Sequence, residues 1–184
     1  MKTIEKFRAY RSKKLEKVGR VIIKTWLSAN HLTLFSLSSG IIAIYFLFSN
    51  YYLFATFILL HLIFDSLDGV IARLTKATLL GKYFDLLSDS FITFLALLKV
   101  AWYLQDSYAY LAAGLFLVAL LLHLVSKLQT TMIFMRTASA LVLLIATYPL
   151  FPFTTHVLTA GYLVSGGVSL YSLARQLQWR VRDS

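Results

Sequence analysis

Cysteine is absent from the 184 residues, so neither a disulfide nor a thiolate metal site can form, and the redox compartment leaves no trace in the chain. Proline occurs only at positions 149 and 152. Acidic residues are scarce, eight against 18 Lys and Arg, for a formal net charge of +10. No internal repeat or low-complexity stretch stands out. The first 27 residues are basic throughout, without the apolar core that a cleavable signal peptide carries.

What the chain has in abundance is apolar surface. It is 59% hydrophobic with a mean hydropathy of +0.73, which excludes an ordinary soluble domain of this length. Six apolar stretches are long enough, or nearly so, to cross a hydrocarbon core as helices: Leu32–Phe48, Tyr51–Leu74, Tyr83–Leu104, Tyr108–Val125, Ala138–Phe153 and Val157–Leu173. The fifth is short and carries Pro149 near its end. The expected fold is an all-α membrane protein. A single domain over residues 1–184 holds a basic interfacial helix (1–27), a six-helix membrane bundle (32–173) and a basic tail (174–184).

The positive charge points to a membrane rather than to nucleic acid. With the N-terminus in the cytoplasm, six spans put residues 1–30, 74–82, 126–137 and 174–184 inside. Those segments, with Arg73 at a helix end, hold 17 of the 18 Lys and Arg residues. The exception, Lys99, lies late in the third stretch and can snorkel outward. Both termini are therefore expected in the cytoplasm, at the cell (inner) membrane if the source is prokaryotic. In residues 1–27, Ile4, Phe7, Leu15, Val18, Ile22 and Trp26 share one side of a helical wheel, interrupted by Arg8 and Arg11. Nine Lys and Arg residues occupy much of the rest. This is the pattern of an amphipathic helix on an anionic leaflet; a solvated basic arm that only fixes topology is the alternative.

Against this background, four of the eight acids stand inside apolar helices, at Asp65, Asp68, Asp85 and Asp89. Even lenient scales charge about 2.5–3.5 kcal/mol for a carboxylate at the centre of a membrane helix. At ~100° per residue, Asp65, Asp68, Gly69 and Ala72 fall within an arc of about 100°. Gly81, Asp85 and Asp89 recur every four residues and share a face. The two stretches run in opposite directions, which puts both aspartate pairs near the cytoplasmic side at matching depth. Four converging carboxylates need a compensating charge. An all-oxygen set suits Mg²⁺, Mn²⁺ or Ca²⁺ rather than zinc. Gly69 and Ala72 leave room for a ligand to approach the helix, and Arg73 is placed to meet an anion such as a phosphate. These parts describe a metal-assisted phosphoryl-group site facing the inner leaflet.

The run Asp65-x2-Asp68-Gly69-x2-Ala72-Arg73, followed after seven residues by Gly81-x3-Asp85-x3-Asp89, resembles the signature of the CDP-alcohol phosphatidyltransferases, with all eight defining positions present. Asn30-His31-Leu32-Thr33 resembles the Asn-x-Leu-Thr stretch that opens the first span in many members. The resemblance implies that Asp65, Asp68 and Asp85 bind Mg²⁺ or Mn²⁺, as two ions. Asp89 would be a shared ligand and the base that deprotonates the acceptor. It also implies that Asp68, Gly69, Ala72, Arg73 and Gly81, with Asn30 and Thr33 nearby, cradle the CDP part of a CDP-activated lipid. An alcohol would attack the lipid-bearing phosphorus and CMP would leave; homodimers are common in the family. Three features depart from the pattern. The Arg73–Gly81 gap is seven residues where eight is usual, and Ser90 stands where many relatives have Lys or Arg. The 126–137 loop offers only Lys127 and Arg136 as ligands for an acceptor phosphate such as that of glycerol phosphate or inositol phosphate.

Several other residues invite attention. His61 stands one turn before Asp65 and either lines the pocket or hydrogen-bonds a neighbouring helix; His123 and His156 carry less signal. Gly40, Gly114, Gly161, Gly166 and Gly167 suggest close helix packing. An intramembrane cation path could use the same carboxylates. The acids cluster on one side, however, and no inverted repeat or paired broken helices appear. A non-catalytic scaffold derived from the family is a further alternative, and it is disfavoured because no motif position is lost.

Overall fold

The apolar runs form helices, and four of these helices start at a residue that caps them. The computed structural model describes residues 19–24, 27–75, 78–130, 132, 133 and 136–183, and no strand occurs among them. Ser28 opens α1 (Ala29–Phe46) by a reciprocal cap. Its hydroxyl accepts the His31 N–H at 3.4 Å, while its own N–H donates to His31 Nδ1 at 3.2 Å. Phe48, left-handed at φ 71°, ends the turn after α1. Asn50 then accepts the Leu53 N–H at 3.1 Å and starts α2 (Tyr51–Thr75). Thr78 does the same for Gly81 at 3.0 Å at the start of α3 (Leu79–Leu104). Asp106 accepts the Tyr108 N–H at 2.9 Å at the start of α4 (Ser107–Val125).

After a loop come α5 (Arg136–Ala146) and α6 (Thr154–Asp183). α5 ends three residues before Pro149, as the backbone preference ahead of a proline requires. Helix therefore fills only part of the fifth apolar stretch. α6 runs ten residues beyond Leu173, so the basic segment after it is helical through Asp183.

α1, α2, α4 and α6 are long and apolar enough to cross a membrane. α3, at 26 residues, has the length, about 39 Å, but carries Lys82, Asp85, Asp89 and Lys99. α5, at 11 residues, reaches only about 16 Å against a hydrocarbon thickness of about 30 Å. Large apolar side chains face outward in number; Tyr52 is 74% exposed and Leu80 82%. Such a surface is costly in water and suited to lipid tails, which are as apolar as leucine.

The helices divide between two units. The first comprises the described residues up to Ala43 together with Thr56–Asp89, and the second comprises Ile44–Ala55 with Ser90 onward. In the first, α1 packs on α2 through Ser36 and His61: the Ser36 hydroxyl lies 2.8 Å from His61 Nδ1 and 3.0 Å from its carbonyl oxygen. Residues 19–23 are helical, and Gly19 is buried against α2, where a Cβ would lie 2.9 Å from Val70 and 3.1 Å from Leu74. Only glycine admits that approach without displacing α2 side chains. The remainder of the expected interfacial helix, with Trp26, Arg8 and Arg11, lies outside the described residues.

In the second unit α4 packs on α6. Gly166 permits this, since a Cβ there would stand 3.2 Å from that of Ala112. Gly161 meets Val142 more loosely, and Gly114 and Gly167 face open space within the chain. Phe48 stacks on Tyr103 at 3.9 Å and Tyr51 meets Tyr148 edge-on, an aromatic cluster of the kind found at a membrane interface. Lys99 Nζ reaches 5.4 Å from the Trp102 ring centroid, toward the C-terminal end of α3, as a snorkelling lysine does.

Candidate active site

The three-residue spacing on α2 and the helix start at Thr78 bring acids from two helices together. Carboxylate oxygens of Asp65, Asp68 and Asp85 all lie within 4.8 Å of one another. Asp68 is buried, 4% exposed, and the other two are half-buried. Three carboxylates this close cannot all be ionised without a compensating positive charge. The donor set is all oxygen, with no cysteine in the chain and no histidine in the cluster, so these residues fit a hard divalent cation. Asp89, one turn beyond Asp85 on α3 and half-buried, is not one of the clustered three.

Thr33 has a role that spacing did not reveal. Its hydroxyl donates to Asp68 Oδ2 at 2.9 Å and lies 3.1 Å from the Ala29 carbonyl, so one proton is shared between two acceptors. Thr33 thus orients the most buried of the clustered acids from the facing helix.

Beside the acids lies a cavity of about 250 Å³ lined by Asn30, Thr33, Asp68, Gly69, Ala72, Gly81 and Asp85. Seven of the residues expected at the site therefore share one wall. Gly69 is not a packing requirement of the protein itself. A Cβ there would meet only the Arg73 guanidinium, at 3.8 Å, so the space is left to a ligand. Gly81 differs: a Cβ would sit 3.1 Å from Thr78 Oγ1 and 3.3 Å from Asn30 Oδ1. Its smallness lets the first turn of α3 close on the start of α1. Arg73 is exposed beyond the cavity wall, its guanidinium reaching back toward Gly69.

Ser28, Thr75, Thr78 and Lys82 also line the cavity and were not singled out in the sequence. Ser28 and Thr78 carried a readable signal, as cap residues directly before apolar helices. Lys82 follows Gly81 on the first turn of α3 and is the one cationic side chain among the described residues that line the cavity. His61 does not line the cavity; its bonds to Ser36 give it the helix-pairing role. His123 is buried in the second unit with Nδ1 3.2 Å from Thr130 Oγ1, and His156 is exposed beside Phe153. Ser90 is fully buried. Lys127 and Arg136 belong to the second unit, and neither lines the aspartate cavity.

A family model for CDP-alcohol phosphatidyltransferase matches residues 26–172. The chain belongs to that family. The match covers all six helices except the far end of α6, and it contains both aspartate pairs, Asn30 and Thr33. No curated protein and no solved structure matches the chain. Membership of the CDP-alcohol phosphatidyltransferases identifies an integral membrane protein whose family transfers phosphatidyl groups from CDP-alcohols in lipid synthesis. The Asp65–Asp68–Asp85 cluster is compatible with that chemistry.

Proposed function

We infer that this chain transfers a phosphatidyl-type group from a CDP-activated lipid to an alcohol, releasing CMP, in phospholipid synthesis. The observation that carries the reading is the triad of carboxylates within 4.8 Å, two of which, Asp68 and Asp85, line a cavity whose glycine leaves room for a ligand. Asp65, Asp68 and Asp85, with Asp89 as a shared ligand, would hold Mg²⁺ or Mn²⁺. When bound, such ions balance the carboxylates and draw electron density from the phosphorus under attack.

The chain's own residues supply the rest. Gly69, Ala72 and Gly81 form a wall low enough for the cytidine end of the donor. Arg73 and Lys82 face its phosphates as cations. Thr33 fixes the Asp68 carboxylate, and Asn30 closes the α1 side. Asp89 accepts the proton of the acceptor hydroxyl as that oxygen bonds to the lipid-bearing phosphorus. The bond from that phosphorus to the CMP phosphate oxygen breaks, and CMP departs with the electron pair. The acceptor is an alcohol of the glycerol phosphate or inositol phosphate class.

In this reading all six helices are embedded, both termini are cytoplasmic, residues 1–27 lie on the inner leaflet, and the protein works as a homodimer. The four carboxylates lie to one side of the membrane, which favours transfer over a transmembrane ion path. The test is to incubate purified protein with CDP-diacylglycerol, Mn²⁺ and a panel of alcohols, and to identify the lipid formed by mass spectrometry. A phosphodiester lipid from one acceptor is the expected result. Donor binding with no product from any acceptor would instead support the scaffold alternative.

A further inference from the structure

A second polar cavity, of about 380 Å³, lies wholly within the second unit between the end of α4 and the last turns of α6. Its volume falls in the range of about 300–1,000 Å³ typical of ligand pockets. Two cations, Lys127 and Arg180, line it, with no acid among the described lining residues. Both are exposed, so their charges meet an incoming group.

The polar floor is built by hydrogen bonds. The α4 helix ends in two consecutive left-handed residues, Lys127 (φ 54°) and Leu128 (φ 65°), neither a glycine. The loop is held by the Leu128 N–H on the His123 carbonyl at 3.0 Å and by the Ser126 hydroxyl on the same carbonyl at 2.7 Å. Ser126 and Thr130 hydroxyls meet at 2.8 Å, and both line the cavity. Opposite them, Gln176 is buried and anchored through Nε2 on the Ala119 carbonyl at 3.1 Å. The rim is apolar and outward: Val125 is 74% exposed, Leu177 57%, and Trp179 is half-buried.

We propose that this cavity binds the phosphate headgroup of an anionic phospholipid, with Lys127 and Arg180 on the phosphate and the tails along Val125, Leu177 and Trp179. Basic cavities between helices at a cytoplasmic surface take such headgroups, and a tryptophan at the rim belongs at the interface. A soluble phosphate ester would meet the same two cations. The exposed apolar rim favours the lipid, because a small soluble ligand has no use for it. The proposal does not rest on transfer activity, and its test reads binding alone.

The experiment reconstitutes the full chain in nanodiscs of phosphatidylcholine containing phosphatidylglycerol, then extracts it and measures retained lipid by native mass spectrometry. Wild type is expected to keep phosphatidylglycerol over phosphatidylcholine. The double variant Lys127→Gln/Arg180→Gln should lose about thirtyfold in that preference, each basic side chain at an anionic surface being worth roughly five- to sixfold. The exchange Lys127→Arg/Arg180→Lys keeps both charges and should retain the lipid, which separates charge loss from misfolding. Equal retention of both lipids by wild type, or an unchanged preference in the glutamine variant, would overturn the proposal. Displacement of the lipid by glycerol phosphate would also overturn it, assigning the cavity to a soluble phosphate.

Discussion

Thr33→Val should cripple the site while leaving the helices in place. Valine keeps the shape of threonine, so α1 and α2 stay packed, but the donor to Asp68 is lost. A hydrogen bond to an ionised carboxylate is worth about 1.5–3 kcal/mol. At 1.36 kcal/mol per factor of ten this corresponds to roughly 10- to 150-fold. Groups that orient a metal-binding carboxylate typically cost 10–100-fold in metal affinity or activity when removed, roughly the same range. Because the Thr33 proton is shared with the Ala29 carbonyl, the effect should lie nearer the lower end, about tenfold. The assay is titration of purified protein with Mn²⁺ by calorimetry, paired with circular dichroism, and Thr33→Ser should restore wild-type affinity. Unchanged Mn²⁺ affinity in a folded Thr33→Val protein would refute the positioning role.

Other substitutions separate structure from chemistry. Gly69→Ala meets no clash and gains about 1 kcal/mol of helix propensity, so stability should hold or rise while KM for the CDP-lipid climbs as the cavity fills; unchanged KM would show that the donor does not lie there. In Gly81→Ala a similar gain is offset by about 1 kcal/mol from disturbing the Thr78 cap, so stability by thermal melt should change little while turnover falls. Asp89→Asn should cut kcat by about 10²–10⁴ with Mn²⁺ affinity largely kept, and near-wild-type kcat would remove the assigned base. Arg73→Ala should raise KM for the donor with little change in kcat; an unaltered KM would free Arg73 of that role.

Much of this site could be read from the chain because two helical periodicities converge on it. The spacing of Asp65, Asp68, Gly69 and Ala72 fixes one face, and that of Gly81 and Asp85 another, without any tertiary information. Six apolar stretches likewise gave six helices, since long apolar runs have few other outcomes. What spacing could not give was contact between helices far apart in sequence. Thr33 and Asp68 are 35 positions apart, and no local pattern says that the hydroxyl of one meets the carboxylate of the other. His61 is a milder case: the face it shares with Asp65 left both the pocket and a bond to a neighbouring helix open, and the bond to Ser36 of α1 decides for the second. Element lengths failed where a breaker and a composition change competed. Pro149 stopped α5 at Ala146, while charge after Leu173 did not stop α6, because Arg, Gln and Leu are all good helix formers.

The central claim is that the clustered aspartates form one cation-dependent transfer site. The direct measurement is CMP release from CDP-diacylglycerol and the identified acceptor by purified wild type, Asp68→Asn and Asp85→Asn, with Mn²⁺, with EDTA, and with Mn²⁺ restored. Wild type should turn over, stop in EDTA and recover on repletion, and both folded variants should release no CMP under any condition. CMP release that persists in EDTA, or in a folded Asp85→Asn protein, would contradict the account.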